Sequence, residues 1–187
     1  MKLFFIALML FESICANAQG KINFSSQNYL GLLEGEHGSA FQLQTINGIA
    51  YKTWFVGLGT GIDWYYQRSI PAFVSASKDF FKKAGRSFYA SIDGGMNFPW
   101  IDDKPYNDWG YRVGKPDPGA FWSAGLGYKI GVGKSNDALL MHLGYSYKHL
   151  SEEVTTVSPC LVGPCPENTE KFDYSLRRLS LKVGWNF

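Results

Sequence analysis

The sequence predicts an all-β fold: an antiparallel, up-and-down β-barrel of eight transmembrane strands, preceded by a cleavable signal peptide. Three observations carry that expectation. Apolar residues alternate with small or polar ones along eight segments. The polar face of those segments is mostly Gly and Ser with isolated charges of both signs, which suits a crowded lumen better than a water-washed surface. The connections between segments sort by length according to their parity along the chain.

The N-terminus reads as an address. Lys2 supplies a positive start, Leu3 to Phe11 a short apolar run, and Ala16-Asn17-Ala18 a small-x-small cleavage pattern. That run is about half of the ~20 residues a membrane helix needs. Residues 1–18 are therefore expected to be removed, leaving 19–187 as the barrel domain. Ile14 stands before Cys15 where a lipoprotein signal needs a small residue, so no lipid anchor is expected. Of the 3 cysteines, Cys160 and Cys165 remain, in a stretch broken by Pro159, Gly163, Pro164 and Pro166. An exported chain meets an oxidising compartment, which makes a local disulfide the natural reading.

Eight strands follow in order: 27–34, 39–50, 54–66, 70–80, 87–98, 119–132, 137–150 and 172–187. The last shows the pattern most clearly. Leu179, Leu181, Val183, Trp185 and Phe187 share one face, and Ser180, Lys182, Gly184 and Asn186 the other. Leu139, Met141, Leu143, Tyr145 and Tyr147 oppose His142, Gly144, Ser146 and Lys148. Ala124, Leu126, Tyr128, Ile130 and Val132 oppose Ser123, Gly125, Gly127, Lys129 and Gly131. Phe88, Ala90, Ile92, Met96 and Phe98 oppose Ser91, Asp93 and Asn97. Val56, Leu58, Ile62 and Trp64 oppose Gly57, Gly59, Gly61 and Asp63. Strands 27–34, 39–50 and 70–80 repeat the pattern more weakly. Asn47-Gly48 is a hairpin signal, but a turn near Tyr51-Lys52-Thr53 keeps the strands similar in length. The two long connections, 99–118 and 151–171, are the fifth and seventh and fall on one end. The second, fourth and sixth (51–53, 81–86 and 133–136) are short and fall on the other, as in outer-membrane barrels.

Composition bounds the function. The chain has 187 residues, 45% hydrophobic and 17% aromatic, enough apolar character to exclude a disordered protein. A net charge of +2, from 18 basic and 16 acidic residues, gives no footprint for nucleic acid. Beyond residue 18 no apolar run is long enough for a membrane helix. Strands of about 9–11 residues allow eight in this length, and eight enclose a lumen that side chains fill.

On these features the chain resembles the small eight-stranded outer-membrane barrels of Gram-negative bacteria, the outer-membrane protein A and X type. The resemblance rests on the leader, the alternating strands, the Gly-rich stretches 57–61 and 125–127, and the ending Val183-Gly184-Trp185-Asn186-Phe187. It implies that Trp185 and Phe187 serve as an assembly signal for the barrel-insertion machinery. With no further domain after the barrel, the peptidoglycan-binding role of longer members does not carry over.

The candidate sites follow. Asp63, Asp93, Lys129, His142, Lys148, Arg178 and Lys182 are expected to form a mutually neutralising lumen network, because unpaired charge in so narrow a space is costly. Trp100, Tyr106, Trp109 and Tyr111 lie among charges in loop 99–118 and suit contact with an extracellular protein or glycan. Gly57 to Gly61 lacks the spacing of a dinucleotide loop. Glu34, Glu36 and His37 have no metal-site spacing, and no metal or cofactor is expected. His149 and Ser151, with Glu153 as the acid, resemble the His-x-Ser pattern of lipid A deacylases, but no Asn follows the Ser; a polar strand end is the reading preferred.

The resulting expectation is an outer-membrane protein with a structural or surface-interaction role, without catalysis. Its partners would be outer-membrane lipid and lipopolysaccharide, the assembly machinery, and an extracellular molecule at the long loops. A lipid A-modifying enzyme and a small passive channel are the functional alternatives, and a soluble periplasmic sandwich the structural one. The mature chain refolded in detergent is expected to migrate differently on a gel before and after boiling. A chain soluble without detergent and showing no shift would put the polar face in water.

Overall fold

A computed structural model describes residues 22–100, 112–133, 137–157, 161 and 167–187, with backbone alone for 112–115 and 157. It contains β1 (Asn23–Gly35), β2 (Gly38–Tyr51), β3 (Trp54–Asp63), β4 (Ser69–Lys83), β5 (Arg86–Pro99), β6 (Arg112–Asp117), β7 (Gly119–Gly131), β8 (Ala138–Val157) and β9 (Glu167–Asn186). All strands but β6 form a closed antiparallel ring of 8. The ring closes where β1 meets β9, from Gln27 opposite Asn186 to Gly35 opposite Arg178. Reciprocal backbone bonds between Ser26 and Phe187, at 2.8 and 3.0 Å, finish the seam.

The period-two pattern sorts the two faces. Leu30, Phe41, Leu43, Ile49, Val56, Leu58, Ile92, Leu126, Leu143, Leu179 and Leu181 all point outward and are exposed. Asp63, Asp93, Asn97, Ser123, Ser146, Lys148, Arg178 and Ser180 point inward and are buried. A surface this continuously apolar around a polar interior is stable only against hydrocarbon. Aromatic side chains ring both ends of it. Trp64, Tyr66, Trp100, Trp122 and Tyr145 are exposed toward one end, and Phe24, Trp54, Phe88 and Trp185 toward the other.

The lumen is less polar than its sequence suggests. Tyr29, Ile46, Phe55, Phe73, Tyr89, Phe121 and Leu140 form one apolar cluster inside the ring. Leu33, Tyr65, Leu150 and Leu176 form a second. Space for these rings comes from glycine on the neighbouring strand. A Cβ on Gly59 would lie 2.4 Å from the Phe73 ring, and one on Gly127 would lie 2.2 Å from Tyr89.

Several boundaries differ from expectation. The turn between β2 and β3 is at Lys52-Thr53, with Lys52 at φ 56°. Asn47 and Gly48 lie within β2, opposite Leu58 and Gly57. Gly48 serves close strand approach, since a Cβ there would fall 2.1 Å from the Val56 carbonyl oxygen. β3 ends at Asp63 rather than at 66, because Tyr65 turns inward and Tyr66 takes φ 60°. The long connections are also shorter than expected. Residues 112–117 are strand β6, and β8 and β9 continue to Val157 and from Glu167. β6 prolongs β7 along the same edge of β8, from Arg112 opposite Thr156 to Asp117 opposite Ser151. The register slips at Pro118-Gly119 before resuming at Phe121 opposite Lys148, as expected at a proline without a ladder donor. β6, β8 and β9 together stand beyond the ring as a three-stranded extension.

The lumen packing makes a contrast testable. Gly59→Val forces the Phe73 ring aside and should cost about 1–3 kcal/mol. Gly94→Val, where no atom lies within 4 Å of the added carbon, should change stability by less than about 0.5 kcal/mol. Urea midpoints of refolded protein in detergent read the difference, and equal midpoints would contradict it.

Candidate functional site

Asp63 ends β3, Lys148 lies on β8 and Arg178 on β9, so three strands bring one carboxylate and two cations to the end of the ring that carries the extension. None of the three is exposed. The Arg178 guanidinium donates to an Asp63 carboxylate oxygen and, at 2.7 Å, to the Ser146 hydroxyl. Lys148 Nζ stands 3.5 Å from the same carboxylate. It also donates to the carbonyls of Tyr65 and Gln67, at 3.1 and 2.9 Å, and to the Ser69 hydroxyl at 2.8 Å. The other Asp63 oxygen accepts the Tyr65 N–H at 2.8 Å. One ion cluster thereby pins the whole 64–68 connection across the mouth.

Tyr65 is the stopper that this pinning holds. Its ring is buried with Leu33, Leu150 and Leu176, and the Arg178 guanidinium stands 5.4 Å from its centroid. Its hydroxyl accepts the His37 N–H at 2.9 Å, tying the first connection to the third. Tyr66 faces the other way, packing on His37 at 4.7 Å and on Tyr174 at 5.1 Å between centroids. Desolvation first, and then the Tyr174 hydroxyl, push its phenol up to about 12.

Deeper in the lumen, Lys182 Nζ donates to Gln44 at 2.9 Å and lies 3.9 Å from Asp93. The Ser91 hydroxyl and His142 Nε2 share a hydrogen bond of 2.9 Å. Among the described residues, Asp93 Oδ1 and His142 Nδ1 have no hydrogen-bond partner, and a cavity of about 10 Å³ between them has room for a single water. Toward the end with short turns, Lys129 pairs with Asp79 at 3.3 Å. There the lumen opens into a cavity of about 290 Å³ lined by Gln27, Phe55, Asp79, Lys129 and Asn186.

The structure thus places all of Asp63, Asp93, Lys129, His142, Lys148, Arg178 and Lys182 inside the barrel, but in three separate groups rather than one network. Asp79, Gln42, Gln44 and Tyr65 are further interior residues, outside the expected network. Inward parity is the signal that marks Gln42 and Gln44 in strand 39–50 and Tyr65 in strand 54–66, where it follows Gly61 and Asp63 on the polar face. His149 faces Asp173 at 3.7 Å. Ser151 has a buried hydroxyl with no partner among the described residues, so the imidazole is not set to activate it. Glu153 lies opposite Lys171 in the β8–β9 ladder. Trp100 is exposed and its ring lies 4.3 Å from the Arg68 guanidinium. Tyr106, Trp109, Tyr111, Cys160 and Cys165 lie outside the described residues. Trp185 and Phe187 project outward at the seam.

No protein-family model matches the chain, and no curated protein matches it by sequence. Among solved structures, the crystal structure of Neisserial surface protein A (NspA) is similar at 12% identity and a TM-score of 0.52, covering 88% of this chain and 95% of that one. The solid-state NMR structure of the outer membrane protein AlkL aligns at 12% identity and a TM-score of 0.40 over 90% of each chain. With the ring and its apolar belt, the first likeness shows the fold: that of the small eight-stranded outer-membrane barrels.

The mouth cluster should dominate stability. Asp63→Asn leaves two buried cations facing each other, and should cost about 3–5 kcal/mol. Adding Lys148→Met should recover part of that loss. Unfolding in urea measures both, and an Asp63→Asn barrel as stable as the parent would refute the assignment.

Proposed function

We propose that this eight-stranded outer-membrane barrel is a non-conducting, non-catalytic surface protein of a Gram-negative outer membrane, and that its working part is the extension of β6, β8 and β9. The observation that carries the reading is the stopper: Tyr65, Leu33, Leu150 and Leu176 fill the mouth, and Asp63, Lys148 and Arg178 hold them there. A solute path would have to break a buried ion cluster. The cavity of about 290 Å³ at the other end is therefore blind. What the fold offers to a partner is the strand pair that continues past the ring.

Orientation follows from the connections. Lys52-Thr53, Ala84-Gly85 and 132–137 are short and share one end, which corresponds to periplasmic turns. The extension belongs to the opposite, outer end. The two aromatic belts would lie at the membrane interfaces, in contact with lipopolysaccharide outside and phospholipid inside. The outward Trp185 and Phe187 at the seam are consistent with recognition by the assembly machinery. The turning of His149 toward Asp173 favours the non-catalytic reading over lipid A chemistry.

In planar bilayers the refolded protein should show no unitary conductance steps. On whole cells, Lys171→Cys in the extension should react with a membrane-impermeant maleimide. Stable open-channel steps, or an extension protected from the reagent until the outer membrane is broken, would overturn the reading.

A further inference from the structure

The last residue of β9 paired with β1 is Arg178, opposite Gly35. Above it, Glu167 to Arg177 pair with β8 on one side, and among the described residues nothing pairs with the other side. A free edge this long offers a row of unmatched N–H and C=O groups to any strand that fits. At 3.3–3.4 Å per residue the run rises about 35 Å.

The side chains along the edge are not a general defence. On the outer face stand Glu167, Thr169, Lys171, Asp173, Ser175 and Arg177. On the other face stand Asn168, Glu170, Phe172, Tyr174 and Leu176, with Tyr174 against Tyr66 and Leu176 buried at the mouth. Backbone groups in a strand point alternately left and right, so directly opposed residues in an antiparallel pair must have the same phase. Two identical strands related by a two-fold axis satisfy this only where one residue opposes its own copy. Centring on Glu170, Lys171 or Asp173 sets a charge against itself, and centring on Tyr174 sets Lys171 against Arg177. Centring on Thr169 or Ser175 shortens the overlap or runs into the ring, and keeps a single ion pair. Centring on Phe172 opposes Glu167 to Arg177, Lys171 to Asp173 and Thr169 to Ser175, all on the outer face and each twice over. Opposite charges directly across a ladder stabilise it, like charges weaken it. Of the central registers, the edge is self-complementary in that one.

Direction then decides where the second copy stands. β9 runs from the extension into the ring, so an antiparallel copy runs the opposite way and the two barrels meet extension to extension. Barrels side by side in one membrane cannot do this; barrels in facing membranes can. We propose that the Glu167–Arg177 edge pairs with the same edge of a second copy in an opposing outer membrane, with Phe172 on the two-fold axis. The proposal rests on the reading that the extension stands outside the cell, and it names the partner.

The test uses the full mature chain carrying Cys160→Ser and Cys165→Ser, refolded in detergent and in phosphatidylcholine vesicles. Under mild oxidation Phe172→Cys should give a disulfide-linked band at twice the monomer mass, whereas Asn168→Cys, opposite Leu176, should stay monomeric. Vesicles carrying the protein should cluster. Lys171→Glu should abolish clustering, and the exchange Lys171→Asp with Asp173→Lys should restore it. Monomer for both cysteine variants, equal cross-linking of both, or clustering indifferent to Lys171→Glu would overturn the pairing. Conductance or a maleimide-protected extension would instead remove the reading beneath it, so the two failures are separable. The gel shift on boiling verifies that each variant folds.

Discussion

Hydrocarbon offers no partner to a peptide N–H or C=O, and the architecture follows from that constraint. A sheet crossing the membrane has to close, because an edge left open there would expose several unsatisfied groups at several kcal/mol each. Closure explains why β1 and β9, far apart in the chain, meet from Gln27–Asn186 to Gly35–Arg178 and why Phe187 bonds back to Ser26. It also explains the face sorting. Once the ring is closed, every second residue must be apolar outside, and the charges can only go in.

Closure at eight strands makes the inside narrow, and narrowness shapes the lumen chemistry. A charge there cannot rely on water, so each cation is placed within reach of a carboxylate: Lys129 of Asp79, Lys182 of Asp93, Arg178 and Lys148 of Asp63. The last group has two cations for one carboxylate. Lys148 makes up the deficit with the carbonyls of Tyr65 and Gln67, and a surplus charge becomes the device that holds the stopper loop. The aromatic rings solve a different problem. Phe73 over Gly59 and Tyr89 over Gly127 fill the space between the polar groups without adding charge that would need a partner.

What was legible in the sequence was whatever the membrane enforces. Leu179 to Phe187 alternate strictly because hydrocarbon touches every second residue, and Asp63, Asp93, Lys148, Arg178 and Lys182 stood out as charges in otherwise apolar strands. The parity of loop lengths was equally visible. The boundaries failed where that enforcement stops. From Ser151 to Thr156 and from Glu167 to Asp173 water replaces lipid, polar residues occupy both faces, and the segments read as loop although they pair throughout. The β-branched run Val154-Thr155-Thr156-Val157 is the strand signal in this stretch. Tyr65 has the inward parity of Gly61 and Asp63, but its role as the stopper depends on Lys148, which bonds its carbonyl from far along the chain.

The same change of solvent gives the extension its character. Within the membrane an unpaired edge is forbidden; beyond it, water satisfies the edge and β9 can run on with β8 alone. Water satisfies an edge without protecting it, however, and charge is the usual guard against indiscriminate pairing. A guard of one sign would repel every copy of itself. Along the outer face from Glu167 to Arg177 the signs alternate instead, acid at the tip, then Lys171 and Asp173 either side of Phe172, then base at the rim. Such a pattern rejects most registers of its own antiparallel copy, because most set like charges together, yet it leaves one in which every charged position of the outer face is matched. The residues that keep the edge from pairing at random are thus the ones that select what it pairs with.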